Sequence, residues 1–221
     1  MAGGKETNCP LCGRHCSADA PSCQRGKEYF RTDGASETGH TRHGCGTHCH
    51  GRHKHHHRDP VFSRMSIRNY TDQPVEAEKI DRILRAGMAA PSAGNQQPWE
   101  FFVVTDKKKI KELSGVSEYS VCAAEASVVI VPCYRTEGLR FPVFDTIDLA
   151  CATENMLIEA AALGLGSVWL SVAPIEERIK KADEVLGIGD DLHAFVILPI
   201  GYPMKERDPQ DRFDEDRIHY L

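Results

Sequence analysis

Large apolar residues are almost absent from the first sixty positions, which hold two aromatics, Tyr29 and Phe30, and hardly any Leu, Ile or Val. A stretch so poor in them cannot bury a hydrophobic core of its own. The start lacks the apolar region of a signal peptide, and no run reaches the roughly 18 apolar residues of a membrane span. The expectation is therefore a cytoplasmic protein with no membrane contact. The familiar fingerprints are missing too: there is no G-x-x-x-x-G-K-[ST] and no G-x-S-x-G. "GLGS", Gly164 to Ser167, follows a predicted helix and precedes a strand, the reverse of the dinucleotide-binding order. Hydrolase and phosphotransferase readings lose their main support.

What the first sixty residues do hold is cysteine, histidine and positive charge. Six of the nine cysteines and nine of the eleven histidines lie there, with nine Lys/Arg against six Asp/Glu. The remaining residues carry eighteen Lys/Arg against twenty-six Asp/Glu, an acidic body with no basic stripe, which argues against nucleic acid as a partner. Cys9, Cys12, Cys16 and Cys23 are spaced C-x2-C-x3-C-x6-C. Thiolates that close suit Zn or an iron-sulfur cluster in a reducing compartment, while the competing reading is a flexible cysteine-rich tail. The tract from Gly39 to His57 is His-rich and reads as a metal-chelating stretch or a disordered linker. These features set a boundary between a Cys/His-rich segment, 1–58, and a globular domain, 59–221.

In the globular domain strands alternate with helices. Ile80, Ile83, Leu84 and Met88 fall at helical spacing after Pro74, and Pro91 ends that helix. "WEFFVV", Trp99 to Val104, predicts a strand, and "DKKKIKELS" an amphipathic helix capped by Asp106. "ASVVIVPCY" reads as a buried central strand. A long, mainly apolar helix spans roughly 145–163, followed by a short strand in "GSVWLSV". Pro174 begins a further helix that stops near Gly187, and "HAFVILPIGYP" supplies a last core strand. The tail from Met204 is charged, with isolated apolar residues, and is expected to pack outside its own domain. Taken alone, this alternation suggests an α/β arrangement and a nucleotide-type ligand.

Two short motifs point to chemistry. In "SRMSIRNY", Arg64, Ser66 and Arg68 place two guanidinium forks and a hydroxyl in one short segment, suited to a phosphate monoester, although paired arginines are more often merely solvated. In "APSAGNQQPWEFFVV", Pro91 and Gly94 shape a tight loop that Ser92, Asn95, Gln96 and Gln97 line with neutral donors and acceptors. Such a loop can read the amide-like edge of a heterocycle, or simply turn the chain.

In this order and spacing, together with "DLACATENMLIEAAALGLGSVWL", "ILPIGYP" and "DRFDEDRIHYL", these motifs resemble the FMN-dependent nitroreductase family over about residues 60–221. The resemblance implies an α+β fold: a three-layer sandwich, its central mainly antiparallel sheet flanked by helices. It also implies a homodimer with domain-swapped C-terminal tails and two FMN sites at the interface. Arg64, Ser66 and Arg68 would hold the FMN phosphate and ribityl chain with help from Arg212. Pro91, Ser92 and Asn95 would approach the flavin from the other subunit, and the backbone from Trp169 through Leu170 to Ser171 would lie near its ring. The family often has Gly where Ser171 stands.

The activity so implied is a flavin-dependent oxidoreductase in which NAD(P)H reduces the flavin and a nitroaromatic, quinone or similar flat small-molecule acceptor reoxidises it, in a ping-pong cycle. No catalytic side chain is nominated. Tyr134, Phe141 and Phe144 are candidates to stack on an aromatic acceptor or to pack at the dimer surface. Two alternatives stay open. One is a metal-binding or sensing protein using the dimer as scaffold; the other is an iron-sulfur flavoenzyme fed by a ferredoxin-like donor.

Overall fold

The structure is a computed structural model describing residues 6–8, 15–17, 59–205 and 208–221. Two units divide between Arg52 and His53. In the first, strand β1 (Glu6–Asn8) pairs antiparallel with β2 (His15–Ser17), setting Thr7 opposite Cys16. Cys9, Cys12, Cys23 and the His-rich tract lie outside the described residues, and so does the expected four-cysteine site as a whole.

In the second unit helix α1 (Pro60–Ser63) is a single turn whose Val61 N–H donates to the Asp59 carboxyl. Helix α2 (Ala77–Met88) turns Ile83 and Gly87 inward and ends three residues before Pro91, in keeping with the restriction a proline puts on the residue before it. Strand β3 (Trp99–Val104) leads to α3 (Lys107–Leu113), and the Asp106 side chain caps that helix by accepting from Lys109 N at 2.8 Å. The eight-residue strand β4 (Val128–Arg135) follows, then helix α4 (Asp145–Ala162). The predicted strand in "GSVWLSV" is two dipeptide strands, β5 (Gly166–Ser167) and β6 (Leu170–Ser171). Helix α5 (Glu176–Leu186) begins two residues after Pro174 and stops at Gly187 in the left-handed conformation. The last strand region is divided into β7 (Leu192–Ala194) and β8 (Val196–Gly201).

The main sheet has the order β3-β4-β8-β5, with β7 also on β4 and β6 also on β8. Every pairing between these strands is antiparallel, so the α/β reading drawn from alternation alone is corrected to α+β. Between β3 and β4 the intervening helix α3 is about 10 Å long, half the roughly 20 Å of a six-residue strand. It does not return the chain to the start of β3, and β4 runs back from the end where β3 left off.

Period-two alternation gives the sheet two apolar faces. Val129, Val131 and Cys133 of β4 join Ile197 of β8 under α3 and α5, with Ile110, Leu113 and Ala182. Val128 and Ile130 join Val196, Leu198 and Ile200 under α2 and α4, with Ile83, Leu149, Met156 and Ala160. Three layers result. The tail contains one short turn, Glu215–Arg217, and leaves Phe213 and Tyr220 largely exposed. Among the described residues no helix is long and apolar enough to cross a membrane.

Candidate functional site

Residues 64–70 run along one side of the sheet and are fastened to it at several points. Ser66 bridges in parallel to Ser167 of β5, and Ile67 N donates to Ser167 O at 2.9 Å. Farther on, Tyr70 bridges to Pro203, and its buried hydroxyl donates to Ile67 O at 2.7 Å. Burial pushes the Tyr70 phenol well above its ordinary value. Gly166 is needed for this approach, because a Cβ there would lie 2.6 Å from Ile67 Cγ2.

Along that anchored segment the two arginines differ. Arg64 pairs through Nε with Glu154 of α4 at 3.2 Å. Arg68 is exposed and has no carboxylate at ion-pair distance among the described residues. Burial raises the Cys122 thiol, and the Arg68 charge acts against that shift. Beside Ser66, the Ser167 hydroxyl is buried and has no hydrogen-bond partner among the described residues. An unneutralised guanidinium, a second fork with one side engaged, and a free hydroxyl fit a phosphate monoester.

Trp169 lies between β5 and β6, and Leu170 begins β6. Leu170 is buried in the core and pairs with Ile197, so only its backbone is available to a ligand. Trp169 packs edge-on against Phe195, with ring centroids 5.5 Å apart, and its indole N–H donates to Ser171 Oγ at 2.9 Å.

The loop after α2 is built differently. Gly94, Asn95 and Gln97 all have positive φ, at 56°, 57° and 48°. For the two non-glycine residues that conformation costs on the order of 1–3 kcal/mol each and persists only where the surroundings impose it. Those surroundings are specific. Gln97 N donates to Ser92 Oγ at 3.0 Å, and the Gln97 amide donates to Asn95 Oδ1 at 3.1 Å. Arg135 Nη2 donates to Gln97 O at 2.8 Å. From α4, the buried Asp148 accepts from Ala93 N at 2.9 Å and from Gln96 Nε2 at 2.8 Å. Pro91 and Asn95 remain exposed on this framework.

The expectation that Gln96 lines the loop for a ligand does not hold. Its amide also donates to Phe141 O at 3.1 Å and accepts from Phe141 N at 2.9 Å, so both ends are engaged inside the protein. Phe141 in turn lies against Gly94, where a Cβ would come within 2.6 Å of its ring. Tyr134 is held edge-on to His193, whose Nδ1 lies 2.8 Å from the Asp183 carboxyl.

Within the described chain, then, the 64–68 segment is fastened to β5 and Leu170–Ser171 to β8, the strand that β5 also pairs with, whereas the Pro91, Ser92 and Asn95 loop rests on the first turn of α4. Arg212 is not brought to either group: its guanidinium donates to Gln210 at 2.8 Å within the exposed tail. Asp148, Arg135, Glu154 and Ser167 escaped the sequence reading. Asp148 left a signal, an acid on the inward side of a mainly apolar helix; the others left none.

A chain from Archaeoglobus fulgidus with the provisional name NADH dehydrogenase/NAD(P)H nitroreductase is 43% identical over 163 residues, covering 72% of this chain and 94% of that one. The FMN reductase (NADPH) of Bacillus subtilis is 26% identical, covering 73% of this chain and 72% of its own. Among solved structures, an FMN-dependent nitroreductase from Clostridium difficile superposes with a TM-score of 0.68 at 30% identity, covering 73% of this chain and 97% of that one. The family model described as the nitroreductase family matches residues 61–137 and 117–202. The chain belongs to the nitroreductase family.

Proposed function

We propose that this protein is an FMN-dependent oxidoreductase that takes electrons from NAD(P)H and delivers them, by a ping-pong cycle, to nitroaromatics, quinones or similar flat electron-poor acceptors. It acts as a homodimer whose C-terminal tails cross to the partner. The supporting observation is the anchored 64–68 segment, where Arg68 lacks a carboxylate partner beside a buried, unpartnered Ser167 hydroxyl. Bound FMN supplies hydride acceptance and onward electron transfer, chemistry that no protein side chain provides.

The protein's own part is to bind, orient and position. Arg68 and the free side of the Arg64 fork hold the phosphate, and Ser66 donates to it or to the ribityl chain. Backbone from Trp169 to Ser171 borders the ring, and the neutral Ser92 and Asn95 side chains meet its polar edge across the dimer interface. Arg212 joins the phosphate once the tail is placed on the partner.

Support for this reading also comes from the names of relatives, among them FMN reductase and NADPH-flavin oxidoreductase. The absorption spectrum of the purified protein tests it. A flavin band released on denaturation is expected; a colourless protein that cannot be reconstituted with FMN defeats the proposal. Metal at Cys9, Cys12, Cys16 and Cys23, as Zn or an iron-sulfur cluster fed by a ferredoxin-like donor, is a separate proposal resting on thiolate spacing.

A further inference from the structure

Asp148 does more than fill the core. It lies in the first turn of α4 and is 4% exposed, yet both carboxyl oxygens are directed at the loop more than fifty residues earlier in the chain. One oxygen accepts from Ala93 N and the other from the Gln96 amide, the same nitrogen that donates to Phe141 O. Gln96 Oε1 completes the set by accepting from Phe141 N. A carboxyl, an amide and one backbone residue therefore join three separate segments: α4, the 92–97 loop and the stretch that leads into α4.

We propose that Asp148 is a positioning residue that, through Gln96, holds the left-handed 92–97 loop and Phe141 as one preformed wall facing the flavin. This rests on the FMN reading above. The wall's reactive face is narrow. Because Asn95 Oδ1 is engaged by Gln97, the Asn95 amide presents N–H donors in a fixed direction, suited to a ring carbonyl or ring nitrogen. Beside it, Phe141 is pressed onto Gly94 and supports the Arg140 guanidinium 5.1 Å from its ring centroid. Released from Asp148, Ala93 and Gln96 on either side of the Gly94–Asn95 turn lose their tie to α4, and the Asn95 donor direction is no longer fixed against Phe141.

The test uses the full-length protein, with FMN affinity read from flavin fluorescence quenching and menadione as the acceptor. Asp148→Asn turns one carboxyl oxygen into an NH2, which faces a donor whichever way the amide is turned, Gln96 Nε2 or Ala93 N. It should raise the FMN Kd about tenfold and raise the menadione KM more than it lowers kcat, the scale of one lost charged hydrogen bond. In Asp148→Asn combined with Gln96→Glu, donor and acceptor are exchanged, and FMN affinity should return to within about threefold of wild type although the donor to Phe141 O is gone. Gln96→Leu leaves α4 intact and should raise the FMN Kd as Asp148→Asn does, which keeps the test open if Asp148 variants do not fold. Unchanged FMN Kd in folded variants overturns the proposal, as does a double variant no better than the worse single one. Failure of the wild-type protein to bind FMN would instead defeat the functional reading.

Discussion

The indole N–H of Trp169 donates to the hydroxyl of Ser171 at 2.9 Å, two residues farther along the chain. Ser171 stands where the family often has glycine, and its hydroxyl gives Trp169 an anchor that glycine lacks. Ser171→Gly should cost about 1 kcal/mol in urea unfolding, typical of one hydrogen bond at a partly exposed site. In a Trp99→Phe background, acrylamide should quench Trp169 fluorescence more strongly in the Ser171→Gly variant than in its parent. Equal quenching would show that the hydroxyl does not hold the ring.

Arg68 carries the sharpest prediction for the phosphate. Arg68→Gln should weaken FMN at least about tenfold, the loss expected for a charge-assisted contact. Riboflavin has the same ring and no phosphate, so its affinity should change little. A parallel loss for both flavins would place Arg68 away from the phosphate.

Tyr70 links the 64–68 segment to stability at high pH. Its phenol, ordinarily near 10.0, is held higher in the folded protein by burial, and the buried Cys133 thiol, ordinarily near 9.0, is raised for the same reason. Above these ordinary values the unfolded chain gives up protons that the folded protein keeps. Fewer protons on the unfolded state make stability fall as pH rises, by about 1.4 kcal/mol per pH unit for each group. Urea titrations should show the decline begin near pH 9 and steepen above pH 10. Tyr70→Phe should lose about 1–2 kcal/mol at neutral pH, since Ile67 O and Pro199 O lose their donor, but decline less steeply above pH 10.

The cysteine cluster can be separated from the flavin site without shortening the chain. Replacing Cys9, Cys12, Cys16 and Cys23 together by Ser should remove the zinc or iron held by these thiolates, read as a fall in metal per chain by elemental analysis of anaerobically prepared protein, while the flavin absorption band persists. Loss of flavin from this variant would mean that the two sites depend on each other. Zinc without sulfide in the wild-type protein would rule out an iron-sulfur route to the flavin.

Gly94 offers a stability test of the loop itself. Its φ of 56° disfavours any side chain, and an added Cβ would meet the Phe141 ring at 2.6 Å. Gly94→Ala should therefore destabilise by roughly 1–3 kcal/mol in thermal or urea unfolding, the range for overpacking combined with backbone strain. An unchanged midpoint would show that Phe141 moves aside freely.

Much of the local structure could be read from residues close together in the chain. The bounds of β3, the Asp106 cap of α3, the break before Pro91 and the stop at Gly187 all depend on side-chain alternation, a capping oxygen, a missing N–H or the freedom of glycine. Each of these acts within a few residues. The trio Arg64, Ser66 and Arg68 also lies within five residues, so its proposal as a phosphate site needs only local sequence. Gln96 was misread because a polar loop residue has the same sequence signature whether its amide faces a ligand or the protein interior. The antiparallel sheet could be read only through the family resemblance, since the alternation of elements by itself suggests α/β; that Ser66 lies against Ser167 and that Asp148 reaches back to Ala93 and Gln96 was decided by the folded chain alone. Those contacts join residues tens of positions apart, and hydrogen bonds closed over such distances follow from how the layers pack, for which no local pattern exists.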